Sequence, residues 1–149
     1  MFGSFYDLYA PQLPLPILEV KHTPSQCFER NQLLFWAILV VASRTWNRDT
    51  LLLGKLSKPV RDLALSSLAE RGLDSVQAIL LLLNWPVRET LATDSRVPLA
   101  AGMIMMARRA GIHRPAHGQD FVRAKGPPAH SVVVSRSVLW VCCLIIYRK

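Results

Sequence analysis

Apolar residues lie on every side of segment 74–86, which reads Asp-Ser-Val-Gln-Ala-Ile-Leu-Leu-Leu-Leu-Asn-Trp-Pro. One face of a helix through it would carry Val76, Ile79, Leu80 and Leu83. Asp74 or Ser75 can cap the first turn, and Pro86 ends the segment after about three turns. Because a helix that is apolar all round is buried all round, we expect this one at the centre of a multi-helix domain.

Two earlier segments carry helix signals. Thr23, Pro24 and Gln26 combine a cap residue, an early proline and an amide three residues after the cap, which is the capping-box pattern. We expect a helix to begin there and to run, either directly or through a second start near Asn31, to about Arg44. The β-branched residues of this segment would also suit a strand, but its length and its cap favour a helix.

Two later helices are predicted from the same signals. One begins at Ser57 with Pro59 in its first turn and is stopped by Gly72. The other spans 97–110, capped by Asp94 or Ser95, and ends at Gly111 in a left-handed stop. The predicted fold class is therefore all-α, with antiparallel helices around a buried central helix.

Three parts are distinguished by composition: a proline-rich lead-in at 1–23, a helical region at 24–123 and a basic, hydrophobic tail at 124–149. Prolines in the lead-in favour extended backbone, with packing through Leu13, Leu15, Ile17 and Leu18. The tail is rich in β-branched residues and is expected to break the helical pattern.

Composition limits the function further. With 149 residues and 51% apolar content, the chain suits one modest domain. Its longest nearly unbroken apolar runs have ten residues, against roughly 20 for a spanning helix, so no membrane span is predicted.

The first residues do not resemble a secretion signal, so we expect the chain to stay inside the cell. Cys27, Cys142 and Cys143 are too few for a disulfide framework and are expected to be reduced.

The net charge of +8 is concentrated in residues 101–149, which carry eight bases and one acid. Such an excess attracts nucleic acid or anionic lipid without specificity.

Three short sequence motifs, called sequence words below, resemble those of a known protein family. They are Leu-Phe-Trp-Ala-Ile at 34–38, Ser-Val-Gln-Ala-Ile-Leu-Leu-Leu at 75–82 with Asn-Trp-Pro at 84–86, and Ala-Gly-Ile-His-Arg-Pro at 110–115 with Gln-Asp-Phe at 119–121. In this order they resemble the middle homology region of fungal zinc-cluster transcription factors, over about 33–123. The residues that carry it are Phe35, Trp36, Gln77, Asn84, Trp85, Pro86, Gly111, His113, Arg114 and Pro115.

The resemblance implies an all-helical regulatory region of a nuclear protein. Members of that family read DNA through a separate N-terminal cluster in which six cysteines hold two zinc ions. Three cysteines cannot supply those ligands, so we predict no metal, no cofactor and no DNA-reading residue in this chain. DNA would be a partner only through the missing cluster, which leaves a protein partner or a second copy as the direct contacts.

The tail departs from the family pattern. We hypothesise that it is an aberrant ending, such as an unspliced intron or a frameshift, which would make the chain a truncated regulatory domain. Comparison of the genomic sequence with a transcript tests this, and a spliced message encoding the same tail would refute it.

Each candidate site has a plainer interpretation. His113 and His117 have the spacing of zinc ligands but lack paired cysteines. For His113 and Arg114 we favour contacts with the last carbonyls of the preceding helix. An anion or an acidic partner would suit a cluster of Arg108, Arg109, Arg114 and Arg123, although a solvated helix end needs no ligand. The adjacent cysteines suit either palmitoylation or burial, and burial is commoner.

Trp85 and Pro86 suit either the lining of a pocket or a core anchor with a stop signal, and we favour the anchor. The amide of Asn84 is more informative, because an unsatisfied amide in the core would imply a ligand or water.

No catalytic motif is present, so we do not predict an enzyme. The first functional hypothesis is a regulatory portion of a transcription factor that acts through contacts within its own chain or with a partner. The alternative is a basic amphipathic polypeptide that binds membranes through 132–149. A non-functional truncated gene product is the third.

Overall fold

The structure, a computed structural model, describes residues 1–15, 22–70, 72–87, 94–116 and 129–148. Within these ranges the secondary structure is helical, which confirms the predicted all-α class. The α-helices are α1 (Phe2–Leu8), α2 (Pro24–Arg30), α3 (Gln32–Ala42), α4 (Leu52–Ser66), α5 (Leu73–Asn84), α6 (Arg96–Arg109) and α7 (His130–Tyr147). Short 3-10 turns occupy Ala10–Gln12, Ser43–Thr45 and Ser67–Ala69.

Helix α5 is the centre of the fold, as its sequence predicts. It packs against α3, α4, α6 and α7. Every residue from Ser75 to Leu81 is buried, and Ile79 and Leu80 have no exposed surface. Since seven residues make about two turns, the middle of the helix is enclosed on all sides, while its last residues are half-buried.

The predicted start of α2 is confirmed. Thr23 Oγ1 accepts a hydrogen bond from the Gln26 backbone, and the Gln26 side chain accepts one from the Thr23 backbone at 3.0 Å. A second start follows at once, because Asn31 caps α3 through a 2.8 Å bond from the Leu34 backbone to Asn31 Oδ1. Two helices therefore replace one, as the alternative near Asn31 anticipates.

Helix α4 begins earlier than predicted. It starts at Leu52 instead of Ser57, so Pro59 lies inside the helix and not in its first turn. Asp49 stabilises the first turn of α4, because its carboxylate accepts a hydrogen bond from the Leu51 backbone at 2.9 Å and pairs with Lys55 at 3.2 Å. The bond with Lys55 lowers the pKa of Asp49. Packing before the proline thus outweighs the backbone bond that it removes.

Gly72 does not stop α4. The helix ends at Ser66 and continues as a 3-10 turn to Ala69, whereas Gly72 has a φ of −127° and precedes α5 as its N-terminal cap residue. The predicted side-chain caps of α5 are also wrong, since neither Asp74 nor Ser75 caps it. Both side chains instead contact the end of α2 and the start of α3.

The end of α6 is confirmed. Gly111 has a φ of 73°, in the left-handed region that favours glycine. Its N–H donates to the Arg108 carbonyl at 3.0 Å, and the N–H of Ile112 donates to the Ala107 carbonyl at 3.2 Å. This is the Schellman pattern, and the fully buried Ile112 anchors it. At the other end, Asp94 Oδ1 accepts from the Arg96 backbone at 3.0 Å.

Two helical glycines differ in their surroundings and supply a prediction. A Cβ at Gly54 would meet nothing within 4 Å, whereas one at Gly102 would lie 2.4 Å from Leu68 Cδ2. Gly54→Ala is expected to raise the free energy of unfolding by about 0.5–1 kcal/mol, because alanine loses less backbone entropy on folding. In Gly102→Ala the shift of Leu68 should remove most of that gain. Urea unfolding of both variants measures the difference, and equal gains would contradict the close α4–α6 contact.

The expectation that the tail breaks the helical pattern is wrong, because the residues from His130 to Tyr147 form the 18-residue helix α7. It packs on α5 and α6 and buries Leu139, Cys142, Cys143 and Ile146. By length and composition alone α7 could also cross a membrane, so the ten-residue apolar run underestimates this segment. Serines interrupt the apolar run of α7 without interrupting the helix.

The lead-in is not uniformly extended. Helix α1 precedes the prolines and buries Phe5 and Tyr6, and Leu15 is buried as expected. Ile17 and Leu18 lie outside the described residues. The buried residues of α1 and α7 join the same core as those of α5. The division at 23 and 123 stays a prediction.

Candidate functional site

A polar junction holds the start of α5 against the end of α2. Arg30 donates two hydrogen bonds to Asp74, at 2.7 Å through Nε and at 3.1 Å through an η nitrogen. Asn31 Nδ2 donates to Ser75 Oγ at 3.0 Å, and Ser75 Oγ donates to a Glu70 carboxylate oxygen at 2.8 Å. Ser75 is fully buried, so these bonds satisfy the polar group that the apolar helix carries inward. The bond with Asp74 raises the pKa of Arg30.

The two aromatic residues of the first sequence word connect the N-terminal helices. Phe35 and Trp36 are half-buried on α3. The Phe35 ring stacks on Phe2 of α1 at 5.8 Å and meets Phe28 of α2 edge-on at 5.3 Å. These contacts give Phe35 a structural role in packing α1 and α2.

The far end of α5 is an anchored stop. Trp85 is half-buried, and its ring meets Tyr9 edge-on at 5.4 Å. Arg44 donates to the carbonyls of Trp85 and Pro86, each at 2.7 Å. The structure therefore supports the core-anchor interpretation of Trp85, and the guanidinium of Arg44 satisfies two carbonyls at and just beyond the end of the helix.

Two grooves meet beside Asn84, each with a volume of about 610 Å³. One lies between the end of α5, the start of α6 and the end of α7, and the other lies between residues 12–14 and α7. Asn84 and Ile146 line both. Asn84 is half-buried and takes part in an interaction, so its amide is not the orphan that would demand a ligand. The amide without a partner is that of Gln77, because no described residue hydrogen-bonds to its buried Oε1.

His113 and His117 are the two histidines whose spacing suggests zinc ligands. Within the parts of the chain that the structure describes, no group of three or more candidate ligands lies together. His117 is outside those parts. The ring of His113 lies 6.1 Å from that of Trp140, so this side chain contributes to the contact between the end of α6 and α7.

The four arginines of the anion hypothesis have different surroundings. Arg109 donates to the Ala69 carbonyl at 3.1 Å and so fastens α6 to the end of α4. Arg108 and Arg114 are exposed, and Arg123 lies outside the described residues. A joint anion site remains a prediction, while the bond of Arg109 gives that residue a structural role.

All three cysteines are free and buried. Burial raises the pKa of Cys27 to about 11 and that of Cys143 to about 12, and it also raises the pKa of Cys142. The thiolate is the reactive form, so these thiols are inert in the folded protein. Their burial favours the plain interpretation of the adjacent pair over palmitoylation.

Thiol reactivity tests this burial. At pH 8 the native protein should react with Ellman's reagent far more slowly than the protein unfolded in urea, which exposes all three thiols. Folding raises the pKa of the Cys27 and Cys143 thiols above the ordinary 9.0. The contribution of these buried neutral thiols to the free energy of unfolding is therefore fully present below about pH 9 and is lost as the pH rises towards 11–12. Equal rates for folded and unfolded protein would contradict the buried positions.

Comparison with known protein families gives no match, and no solved structure matches the chain. The chain is similar to a Kluyveromyces lactis protein named "Putative transcription factor SEF1", with 27% identity over 114 residues. The alignment covers 74% of this chain and 10% of that protein. The chain thus spans about a tenth of the length of the protein that it matches.

Sequence reasoning missed two arginines. They are Arg136, whose buried Nε has no hydrogen-bond partner among the described residues, and Arg44, which binds carbonyls at the end of α5. Arg136 interrupts an apolar tail, and a lone charge on an otherwise apolar helix is a signal that could have identified it. Arg44 acts on carbonyls 41 and 42 residues away, and no local pattern indicates such a contact.

Proposed function

We propose that this chain is a regulatory, non-enzymatic portion of a nuclear transcription factor of the fungal zinc-cluster type, one that does not itself read DNA. The observation that carries the proposal is the similarity to a transcription factor over 74% of the chain. The helical fold and the enclosed helix α5 agree with what the three sequence words imply. DNA and zinc would belong to a cluster domain elsewhere in the regulator.

The regulatory contact would be made by helix surfaces. The outer side of α7 exposes Val141, Leu144 and Ile145, and the two grooves beside Asn84 open next to it. An activation segment or a partner protein that covers this surface in one arrangement and leaves it in another would form a switch. Such a switch needs two arrangements of similar free energy and a partner that prefers one.

A reporter assay tests the proposal. The full chain is inserted between a well-characterised DNA-binding domain and an activation domain, and transcription of a reporter gene is measured in yeast. We expect the folded insert to change reporter output relative to a matched insert carrying Leu80→Asp, which removes the central packing. Equal output from both inserts, at equal protein levels and nuclear localisation, would contradict a regulatory role.

Direct DNA binding by the chain itself is expected to be weak and nonspecific. Charge is the only feature that supports it, and binding through charge falls steeply with salt. Gel-shift titrations on unrelated duplexes at low and physiological salt measure this. A sequence-selective complex that persists at physiological salt would contradict the absence of a DNA reader.

Membrane association is the second candidate function, and the length and composition of α7 favour it. Six apolar residues of α7 are exposed: Val132, Val134, Val141, Leu144, Ile145 and Tyr147. An apolar helix surface beside a basic chain is suited to the surface of an anionic bilayer. The four residues that α7 buries in the protein core weigh against insertion of the whole helix.

Flotation of the full chain with vesicles separates the two functions. Saturable binding to phosphatidylserine vesicles that is lost in Val141→Ser/Ile145→Ser would support membrane association. Absence of the chain from the floating fraction at physiological salt would exclude it and leave the regulatory function.

A further inference from the structure

A small groove lies between α5 and α7, on the opposite part of α7 from the two large grooves. Its volume is about 240 Å³, and its lining includes Gln77, Arg136, Ser131, Ser135, Leu73 and Leu139. Ligand pockets for drug-sized molecules range from roughly 300 to 1,000 Å³, so an occupant of this groove would be smaller.

Gln77 is the first sign of a missing polar partner. It is the one side-chain amide in the buried middle of α5, and it is only 5% exposed. Its buried Oε1 accepts no hydrogen bond from the residues that the structure describes. A buried acceptor without a partner costs roughly 1–3 kcal/mol, so such atoms are rare in folded proteins. None of the residues that the structure describes donates to this amide oxygen.

Arg136 is the second sign. Its Nε is buried and donates no hydrogen bond, and the described residues supply it with no ion pair. A guanidinium presents donors in a fork that fits the oxygens of a carboxylate. The two acids of the polar junction are already engaged, since Asp74 pairs with Arg30 and Glu70 accepts from Ser75. The groove thus has a positive charge and no acid lining it among the described residues.

We propose that this groove binds a small organic anion that also carries a hydrogen-bond donor. The anionic oxygens accept from Arg136, the donor group of the ligand satisfies Gln77 Oε1, and the ligand body packs on Leu73 and Leu139. The two serine hydroxyls adjust to the remaining polar atoms.

The ligand would connect two helices. Gln77 belongs to the enclosed helix α5, and Arg136 belongs to α7, which buries only four of its residues. Occupancy would therefore hold α7 more firmly on the core. Binding does not depend on the proposed role in transcription, so failure of the reporter assay and failure of the binding assay are separate results.

Three matched probes test the site on the full chain. 3-Hydroxybenzoate carries both groups, benzoate lacks the donor, and phenol lacks the anion. Calorimetry measures affinity, and the side-chain amide signals of Gln77 in a ¹⁵N spectrum report where the probe binds. We expect 3-hydroxybenzoate to bind at least about tenfold more tightly than either of the others.

Variants identify the residues that act. Arg136→Gln should weaken 3-hydroxybenzoate at least about tenfold, because it removes a charge-assisted bond, and Arg136→Lys should retain part of the affinity. Gln77→Met keeps the volume, and it should make 3-hydroxybenzoate and benzoate bind alike. It should also raise Tm without ligand, which shows that the fold is intact. Lys58→Gln, which removes an exposed positive charge from α4, is the matched control and should bind as the parent chain does.

The proposal would be overturned by either of two results with folded protein. One is the absence of saturable 3-hydroxybenzoate binding below about 10 mM, which would mean that ordered water alone satisfies the two side chains. The other is binding that leaves the Gln77 amide signals in place and survives Arg136→Gln unchanged.

Discussion

Leu80→Ala is expected to lower the free energy of unfolding by about 2–5 kcal/mol, because it leaves a cavity in a core that is closed on every side of α5. Leu80 has no exposed surface, and four other helices pack on the helix that carries it. Since small domains have only about 5–15 kcal/mol of stability, this one change removes a large fraction. Urea unfolding followed by circular dichroism measures it.

The control for Leu80→Ala is Met105→Ala on α6, where the side chain is 58% exposed. This substitution should change stability by no more than about 0.5 kcal/mol. Similar losses in the two variants would show that Leu80 is not enclosed as described.

Leu139→Asp is expected to release α7 from the core, because Leu139 is 2% exposed and the change replaces apolar burial with a carboxylate that must be desolvated. Pairing with Arg136, which lines the same groove, offsets only part of that cost. The cost should be at least about 3 kcal/mol, from the lost apolar burial and the desolvated charge together. Val141→Asp, two residues along the same helix and 51% exposed, is the matched control and should be nearly neutral. Denaturant midpoints and hydrogen exchange in α7 compare the two.

This pair of variants also tests whether the tail contributes to the stability of the fold. If Leu139→Asp destabilises the whole chain and Val141→Asp does not, the tail contributes to folding. Equal stability of the two variants would mean that α7 is not part of the core. The origin of the tail as an intron or frameshift product remains a prediction, which comparison of genome and transcript tests.

Local chemistry explains why several helix ends could be predicted. The cap at Asn31, the reciprocal bonds of Thr23 and Gln26, and the left-handed Gly111 all depend on residues within one turn of each other. The all-apolar segment around Ile79 likewise has only one environment that suits it. Such signals need no knowledge of distant packing.

Long-range packing explains the errors. Pro59 has the local signature of a helix start, yet Leu53 and Leu56 pack on the core before it and extend α4 backwards. The β-branched run at 132–134 disfavours helix locally, and the burial of Leu139 and Cys143 on α5 and α6 overrides it. Tertiary contacts of this kind are not written in any single window of sequence.

The candidate site shows the same limit. The sequence marks Gln77 and Asn84 as the polar interruptions of α5. Only the fold shows that the Gln77 side-chain oxygen has no hydrogen-bond partner within the described ranges, whereas Asn84 takes part in an interaction. It also takes the fold to bring Arg136, 59 positions further along the chain, to the groove that Gln77 lines. The basic tail therefore contributes one specific charge to the candidate site, which net charge alone could not identify.

Native-state hydrogen exchange of the α5 amides tests the enclosed central helix most directly. The account predicts that Val76 to Leu81 exchange more slowly than any other segment and only through global unfolding, with a free energy that matches the urea value. Exchange of these amides at the rate of a frayed or solvent-exposed helix, while the rest of the chain remains folded, would contradict it.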